Sequence, residues 1–363
     1  MKSRWLKISV ILLALVLQAS CELRPLSDLN KNLLLRLRIN LQIRNVQTPP
    51  NVEVMRVIFY DPITNRRFTE DYVTSEGGYI SVPPGYYKLV VYNFDTESTM
   101  IRRDADLYYM EAYTNEISQQ VRDKALSIIR RTRAEIESAK SGRGTKSETN
   151  GADTYDVERV DSITKEDEDW AASMDGIENT KIVYEPDHLF VARQDVTIYD
   201  DRDEQVIETA AETIVETFYL SVRIKNIKNI ASANALLTGQ IGSNFIAYPK
   251  DEGKSDDNVS LYFPLNEGKD SLNNDIMYTT FNTFGKLTNE ESRLWLTIFL
   301  TTHTGQTIEW HSDITEDFVE NNDYRIVLED EIPRPEPEST GGGGGGFQPG
   351  VAEWEEEHYY IDL

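Results

Sequence analysis

Leu35-Arg36-Leu37-Arg38-Ile39-Asn40-Leu41-Gln42-Ile43 carries an apolar residue at every odd position and a basic or polar one at every even position. That period of two is the mark of a strand with one buried face, and it reaches back to Leu33. Val54 to Tyr60 reads as a second strand, closed by Asp61-Pro62 and Asn65, residues that favour turns. Tyr79 to Val82 runs into Pro83-Pro84-Gly85, and Tyr86 to Asn93 then reads as another strand. Short strands at this spacing predict an antiparallel β-sandwich over residues 21–110.

The periodicity changes after residue 110. Val121, Ala125, Ile128, Ile129, Ile136 and Ala139 recur at helical spacing among Arg, Glu and Gln, which predicts one helix of about five turns between Glu111 and Lys140. Ser141 to Asp169 is rich in Gly, Ser, Thr, Asp and Glu and poor in apolar residues, so residues 111–179 read as a helix plus an acidic flexible linker. A second antiparallel sandwich is predicted over residues 180–332. Its strands are Lys181 to Tyr184, Leu189 to Ala192, an extended stretch from Gln205 to Ile227, Leu261 to Pro264, Met277 to Phe284, Arg293 to Thr302, Gln306 to Ser312 and Tyr324 to Leu328. Leu294, Leu296, Ile298 and Leu300 fall on one face, with Trp295, Thr297 and Phe299 on the other. Residues 333–363 form a Pro- and Gly-rich spacer, with six glycines from Gly341 to Gly346, before the apolar end Tyr359-Tyr360-Ile361-Asp362-Leu363. Such an end can complete an edge of its own sheet or add to a neighbour's.

Cys21 is the only cysteine in 363 residues. Before it stand a basic start (Lys2, Arg4, Lys7), an apolar run from Ile8 to Leu17, and Gln18-Ala19-Ser20. The run is about ten residues, too short to span a bilayer but suited to an export signal. Residues 1–20 therefore read as a lipoprotein signal peptide with Cys21 as the lipidation site, though leucine is the usual residue where Gln18 stands. An ordinary signal peptide followed by a buried thiol is the plainer alternative. Once Cys21 is acylated no thiol remains for a disulfide, so stability has to come from buried cores. The formal charge is −25, and loss of the three basic signal residues makes it −25 − 3 = −28. A surface that acidic repels nucleic acid, which excludes it as a partner.

Nothing in the chain points to catalysis, a cofactor or a metal. His188, His303, His311 and His358 are scattered, and a pair such as His303 and His311 across a hairpin rarely holds a metal alone. The acidic run Asp200, Asp201, Asp203 and Glu204 lacks the spacing of a calcium loop, and Asp256-Asp257 is an ordinary pair in an acidic chain. No Gly-x-Ser-x-Gly elbow occurs, and the hexaglycine lacks the lysine that phosphate cradling needs. Arg130-Arg131-Thr132-Arg133 could hold an anion, but a solvated helix face is the simpler reading.

Several motifs stand in a familiar order: Cys21 with Arg24-Pro25-Leu26; Val82-Pro83-Pro84-Gly85-Tyr86-Tyr87-Lys88-Leu89-Val90-Val91-Tyr92-Asn93; Glu185-Pro186-Asp187-His188-Leu189; Ser312-Asp313-Ile314-Thr315-Glu316; and the tail Phe347-Gln348-Pro349-Gly350-Val351 with Trp354. In that order they resemble the lipoproteins of Bacteroides and relatives that are similar to the fimbrillin superfamily. The resemblance implies a mainly β chain of two transthyretin-like antiparallel β-sandwich domains with one helical insert after the first. It implies a lipid-anchored outer-membrane protein acting as anchor or accessory subunit of a fimbria and assembling by β-strand addition. The partners implied are the bilayer, through acylated Cys21, and other fimbrial subunits. In that superfamily a shaft subunit is cut by an arginine-specific protease in its first strand, which draws attention to Arg36, Arg38 and Arg44. A surface module that binds a glycan or a host protein is the alternative; a cluster of Trp and Tyr on one exposed face would favour it.

Overall fold

The computed structural model describes residues 30–46, 48–141, 163–202, 204–224, 227–287, 293–320 and 323–332. Over these the chain is mainly β, as the alternating sequence requires. Seven strands close into a barrel in the order β1-β10-β9-β5-β2-β3-β4. They are β1 (Lys31–Ile39), β2 (Val54–Tyr60), β3 (Arg67–Thr74), β4 (Gly77–Val82), β5 (Gly85–Asn93), β9 (Phe190–Ile198) and β10 (Glu204–Thr213). A small sheet is made by β6 (Thr99–Arg102), β7 (Glu111–Thr114) and β13 (Ser243–Phe245). The third sheet holds β8 (Lys181–Tyr184), β11 (Glu216–Ile224), β12 (Ile230–Ile241), β14 (Asn258–Lys269), β15 (Asp275–Thr283), β16 (Trp295–Thr302), β17 (Thr307–Asp313) and β18 (Arg325–Ile332). Its order is β17-β16-β12-β14-β15-β11-β18, with β8 also on β14.

The sequence reading called for two antiparallel sandwiches. The first sheet instead closes on itself, which removes the exposed edges that an open sheet must otherwise protect. Closure depends on a parallel pair, β1 with β10, and the large sheet contains two more, β11 with β18 and β14 with β8. Strands β9 and β10, read as part of the second sandwich, pair with β5 and β1 in the barrel. The stretch from Gln205 to Ile227 is thus two strands in different sheets, and the two sheets interleave along the chain.

Three of the cores follow from alternation. The barrel core holds Leu33, Leu35 and Leu37 against Val57, Phe59, Leu89, Val91 and Phe190. The large sheet buries Leu294, Leu296, Ile298 and Leu300 on one face, while Trp295 and Phe299 lie in a separate cluster under the helices, as the alternation predicts. A fourth cluster joins barrel to large sheet: Ile58, Tyr60, Val90 and Tyr92 meet Ile214, Val215, Ile241, Ile246 and Phe284.

Two helices cover the outer face of the large sheet. Helix α1 spans Gln119–Lys140, beginning later than the sequence suggests because Glu111 to Thr114 are strand β7. It buries Ala125, Ile128, Ile129 and Ile136. Helix α2 (Lys165–Ser173) falls within the segment read as a flexible linker. Thr164 and Asp167 form a reciprocal capping box at its start. Trp170 anchors it: the indole is buried, donates to Thr297 Oγ1 at 3.0 Å, and stacks on the His311 ring at 4.3 Å. A short helix α3 (Thr315–Glu320) precedes β18.

Candidate functional site

Strand β1 is the element on which the sequence reading concentrates. Its apolar residues Leu33, Leu35 and Leu37 fill the barrel core, and Arg36 and Arg38 face solvent. Asn32 to Ile39 pair with Glu204 to Ala211 of β10, and Lys31 to Arg36 pair with Val82 to Gly77 of β4. Arg36 is therefore laddered on both sides and Arg38 on the β10 side. The outward charges add surface ion pairs, Arg36–Glu208 at 3.3 Å and Lys31–Asp200 at 3.5 Å, each of small energetic weight. Burial of the three leucines dominates: at roughly 1.5–3 kcal/mol each they hold the strand with about 5–9 kcal/mol.

Gly77 fits β4 against this strand. Its φ is +105°, and a Cβ placed there would stand 1.9 Å from the Leu35 carbonyl oxygen, so only glycine permits the approach. Beyond β1 the chain crosses to the large sheet. Asn45, in the left-handed region at φ 61°, donates from Nδ2 to the carbonyl of Tyr324 at 2.8 Å and of Asp323 at 3.2 Å. The exposed Arg44 lies 5.3 Å from the centre of the Tyr324 ring. Sequence reasoning missed Gly77 and Asn45; the Gly77-Gly78 pair was the available signal for the first.

The remaining sequence candidates disperse. Cys21, Asp203, His358, the hexaglycine and the apolar tail lie outside the described residues. His303 sits exposed at the β16–β17 turn, whereas His311 is buried between Glu309 (2.9 Å) and Asp167 (3.2 Å). His188 lies in the link between β8 and β9, where burial depresses its pKa. Among the described residues no group of three or more His, Cys, Asp or Glu side chains is placed to hold a metal. Asp200 pairs with Lys31, Glu204 accepts from Tyr79, and Asp257 faces Arg102 at 3.8 Å, so these acids do not converge. The basic run is a clamp: Arg130 binds Glu178 at 2.7 Å and Arg133 binds Asp175 at 3.2 Å, tying α1 to the turn after α2. Trp170, Trp295 and Trp310 are all buried, so among the described residues no tryptophan offers an exposed stacking platform.

The family described as a domain of unknown function, DUF5119, matches residues 20–148 and 144–263, and the chain belongs to it. A Bacteroides ovatus protein provisionally named the fimbrium anchoring subunit Fim4B is 45% identical over 62 residues, 17% of this chain and 19% of that protein. The chain thus matches about a fifth of that relative's length. Among solved structures, a candidate adhesin of Bacteroides ovatus shows 19% identity at a TM-score of 0.48, covering 87% of this chain and 99% of that one. The fimbrial anchor protein Mfa2 of Porphyromonas gingivalis shows 13% identity at a TM-score of 0.40, covering 82% and 90%. The resemblance to fimbrillin-like proteins read from the ordered motifs is borne out.

Proposed function

We propose that this protein is a lipid-anchored component of the cell envelope that works as an anchor or accessory subunit of a fimbria, with a structural and not a catalytic role. Acyl chains on Cys21 hold it to the outer membrane, and its partners are other fimbrial subunits that join by β-strand addition. The fimbrial part of this reading is supported by the segment shared with a relative named for fimbrium anchoring. The anchor part is carried by one observation: β1 is a stave of a closed barrel, laddered to β10 and β4 and filled by three buried leucines. A strand held in this way keeps the preceding lipidated segment attached to the folded body. A shaft subunit would have to release it.

The test is the mass of the protein extracted from its native envelope. An intact chain beginning at an acylated Cys21 supports the anchor. Molecules that begin after Arg36, Arg38 or Arg44, recovered in detergent-stable multimers, would overturn it in favour of a shaft subunit.

A further inference from the structure

Three connections meet at one end of the barrel, and the pairing registers place them together. Strand β1 begins at Lys31, opposite Val82 where β4 ends. Strand β5 begins at Gly85, opposite Ile198 where β9 ends, and Tyr60 at the end of β2 faces Lys88. The start of β1 therefore shares this end with the β2–β3 turn, with Pro83-Pro84 between β4 and β5, and with the segment from Tyr199 that leads into β10.

These connections and the strands beside them carry apolar side chains that the described residues leave uncovered. Ile63 in the β2–β3 turn is 87% exposed, the most of any large apolar side chain described. Tyr199 is 45% exposed, Tyr86 at the start of β5 is 48%, and Tyr79 on β4 is 67%. The three rings are already held. Tyr86 Oη donates to Asp195 at 2.5 Å, Tyr79 Oη donates to Glu204 at 3.3 Å, and the Arg202 guanidinium lies 4.6 Å from the centre of the Tyr199 ring. Rings fixed in this way give up little rotamer freedom when they dock. Tyrosine, with an apolar body and a polar tip, is also a residue type that gathers where membrane meets water.

We propose that this end of the barrel seats on a bilayer of zwitterionic lipid, with Ile63, Pro83-Pro84 and Tyr199 at the contact and Tyr79 and Tyr86 at its margin. The inference rests on the lipid-anchor reading above and adds the face that meets the membrane. Tether length selects the occupant. Cys21 stands 31 − 21 = 10 residues before Lys31, a span of at most about 35 Å. Strand β1 is nine residues long, at most about 30 Å, so a membrane at the far end of the barrel would use most of the tether merely to run back along it. The near end needs no such detour. Charge selects the lipid: a net charge of −25 repels an anionic surface, and a contact made by apolar and aromatic groups requires none. An acyl anchor joined by a second, apolar contact holds more firmly than either alone.

Once Cys21 is acylated the chain has no other thiol, so a cysteine introduced by substitution can be labelled alone. An environment-sensitive fluorophore would be placed at Ile63→Cys, at Tyr199→Cys and, at the opposite end, at Glu76→Cys in the β3–β4 turn, all of them exposed positions. The acylated full chain would be reconstituted in phosphatidylcholine–phosphatidylethanolamine vesicles that carry a quencher just below the headgroups. Emission from positions 63 and 199 is expected to shift to the blue and to be quenched several times more strongly than emission from position 76, with no change on adding salt. Ile63→Ser combined with Tyr199→Ser should abolish the quenching of a label at Tyr86→Cys and leave thermal unfolding as in wild type. Equal quenching at all three positions overturns the proposal. So does a blue shift without lipid quenching that grows with protein density, which marks contact between copies instead. The mass of the same preparation separates the two readings. Unacylated Cys21 would sink the anchor and this seat together, whereas an acylated chain whose labels stay in water sinks the seat alone.

Discussion

Gly77→Ala should free β1 while leaving the large sheet folded. At φ +105° a residue with a side chain carries a conformational cost of about 1–3 kcal/mol. The added Cβ also meets the Leu35 carbonyl at 1.9 Å, and backbone cannot swing aside as a flexible side chain can. Relief requires β4 and β1 to part by more than an ångström, which loses one or two ladder hydrogen bonds at about 1 kcal/mol each. The sum, about 2–5 kcal/mol, is a large share of the roughly 5–9 kcal/mol that the three leucines supply. Gly78→Ala is the control: its φ is not in the left-handed region, its Cβ would approach Val73 no closer than 3.2 Å, at Cγ1, and it should cost under about 1 kcal/mol. Amide exchange would be followed across Leu33 to Leu37, together with trypsin cleavage after Arg36 and Arg38. Cleavage needs the strand unpaired, so it reports the opening directly. Exchange and cleavage in Gly77→Ala that match wild type would refute the claim that the Gly77 contact seats β1.

Arg56 in β2 is buried beneath the ring of Phe94 and bonds Tyr92 Oη at 2.6 Å, Asp104 at 2.7 Å and Glu70. Arg56→Ala should cost about 2–3 kcal/mol in denaturant unfolding, because it removes a buried charged donor from Tyr92, Glu70 and Asp104, while Arg67 still bridges the two carboxylates at 2.9 and 3.0 Å; a loss below about 1 kcal/mol would contradict this. Burial and the nearby Asp187 push the Glu185 carboxyl up to about 7 from 4.5. A carboxyl that holds its proton more tightly when folded adds stability below its unfolded value and loses it as the pH rises through about 7. Glu185→Gln should therefore gain about 2 kcal/mol over wild type at pH 8 and nothing at pH 4, after allowance for partial exposure; equal gains at both would refute it. Asn45→Gly keeps the left-handed backbone but loses the bonds to Asp323 and Tyr324, whereas Asn45→Ala loses both. The alanine variant should be weaker by about 1 kcal/mol in thermal unfolding, and equal melting of the two would remove the backbone argument.

Much of the first unit could be read directly from the chain, because its strands are half-buried and alternate. Leu33, Leu35 and Leu37 went inside as the pattern demands, and so did Leu294 to Leu300 on one face of β16. Partner choice was not legible. Gln205 to Ile227 reads as one stretch because the link between β10 and β11, Ile214-Val215, is apolar and carries no turn residue. Its apolarity comes from burial in the junction between barrel and sheet, a long-range fact. Strand β12 escaped because Ala233, Asn234 and Ala235 have weak strand propensity and are placed by neighbours on both sides. Helix α2 escaped because its first turn, Glu166-Asp167-Glu168, looks like linker composition; the Thr164–Asp167 box and a single tryptophan make it a helix.

The way β1 is held bears on how an anchor could work. On the proposed reading, Cys21 stands 31 − 21 = 10 residues before Lys31, a span of at most about 35 Å when extended. Any pull between membrane and fimbria then enters the folded body at the start of β1. Its ladders to β10 and β4 run along the strand, so such a pull loads several hydrogen bonds together instead of opening them singly. The segment after β1 is fastened separately, by Asn45 to the carbonyls that open β18. A protease therefore meets two obstacles: Arg36 is paired on both sides, and release of the strand after a cut at the exposed Arg44 still requires the barrel to open. Retention of the first strand follows from barrel closure itself. A protein whose task is to stay attached gains from a closed barrel what a polymerising subunit would have to undo.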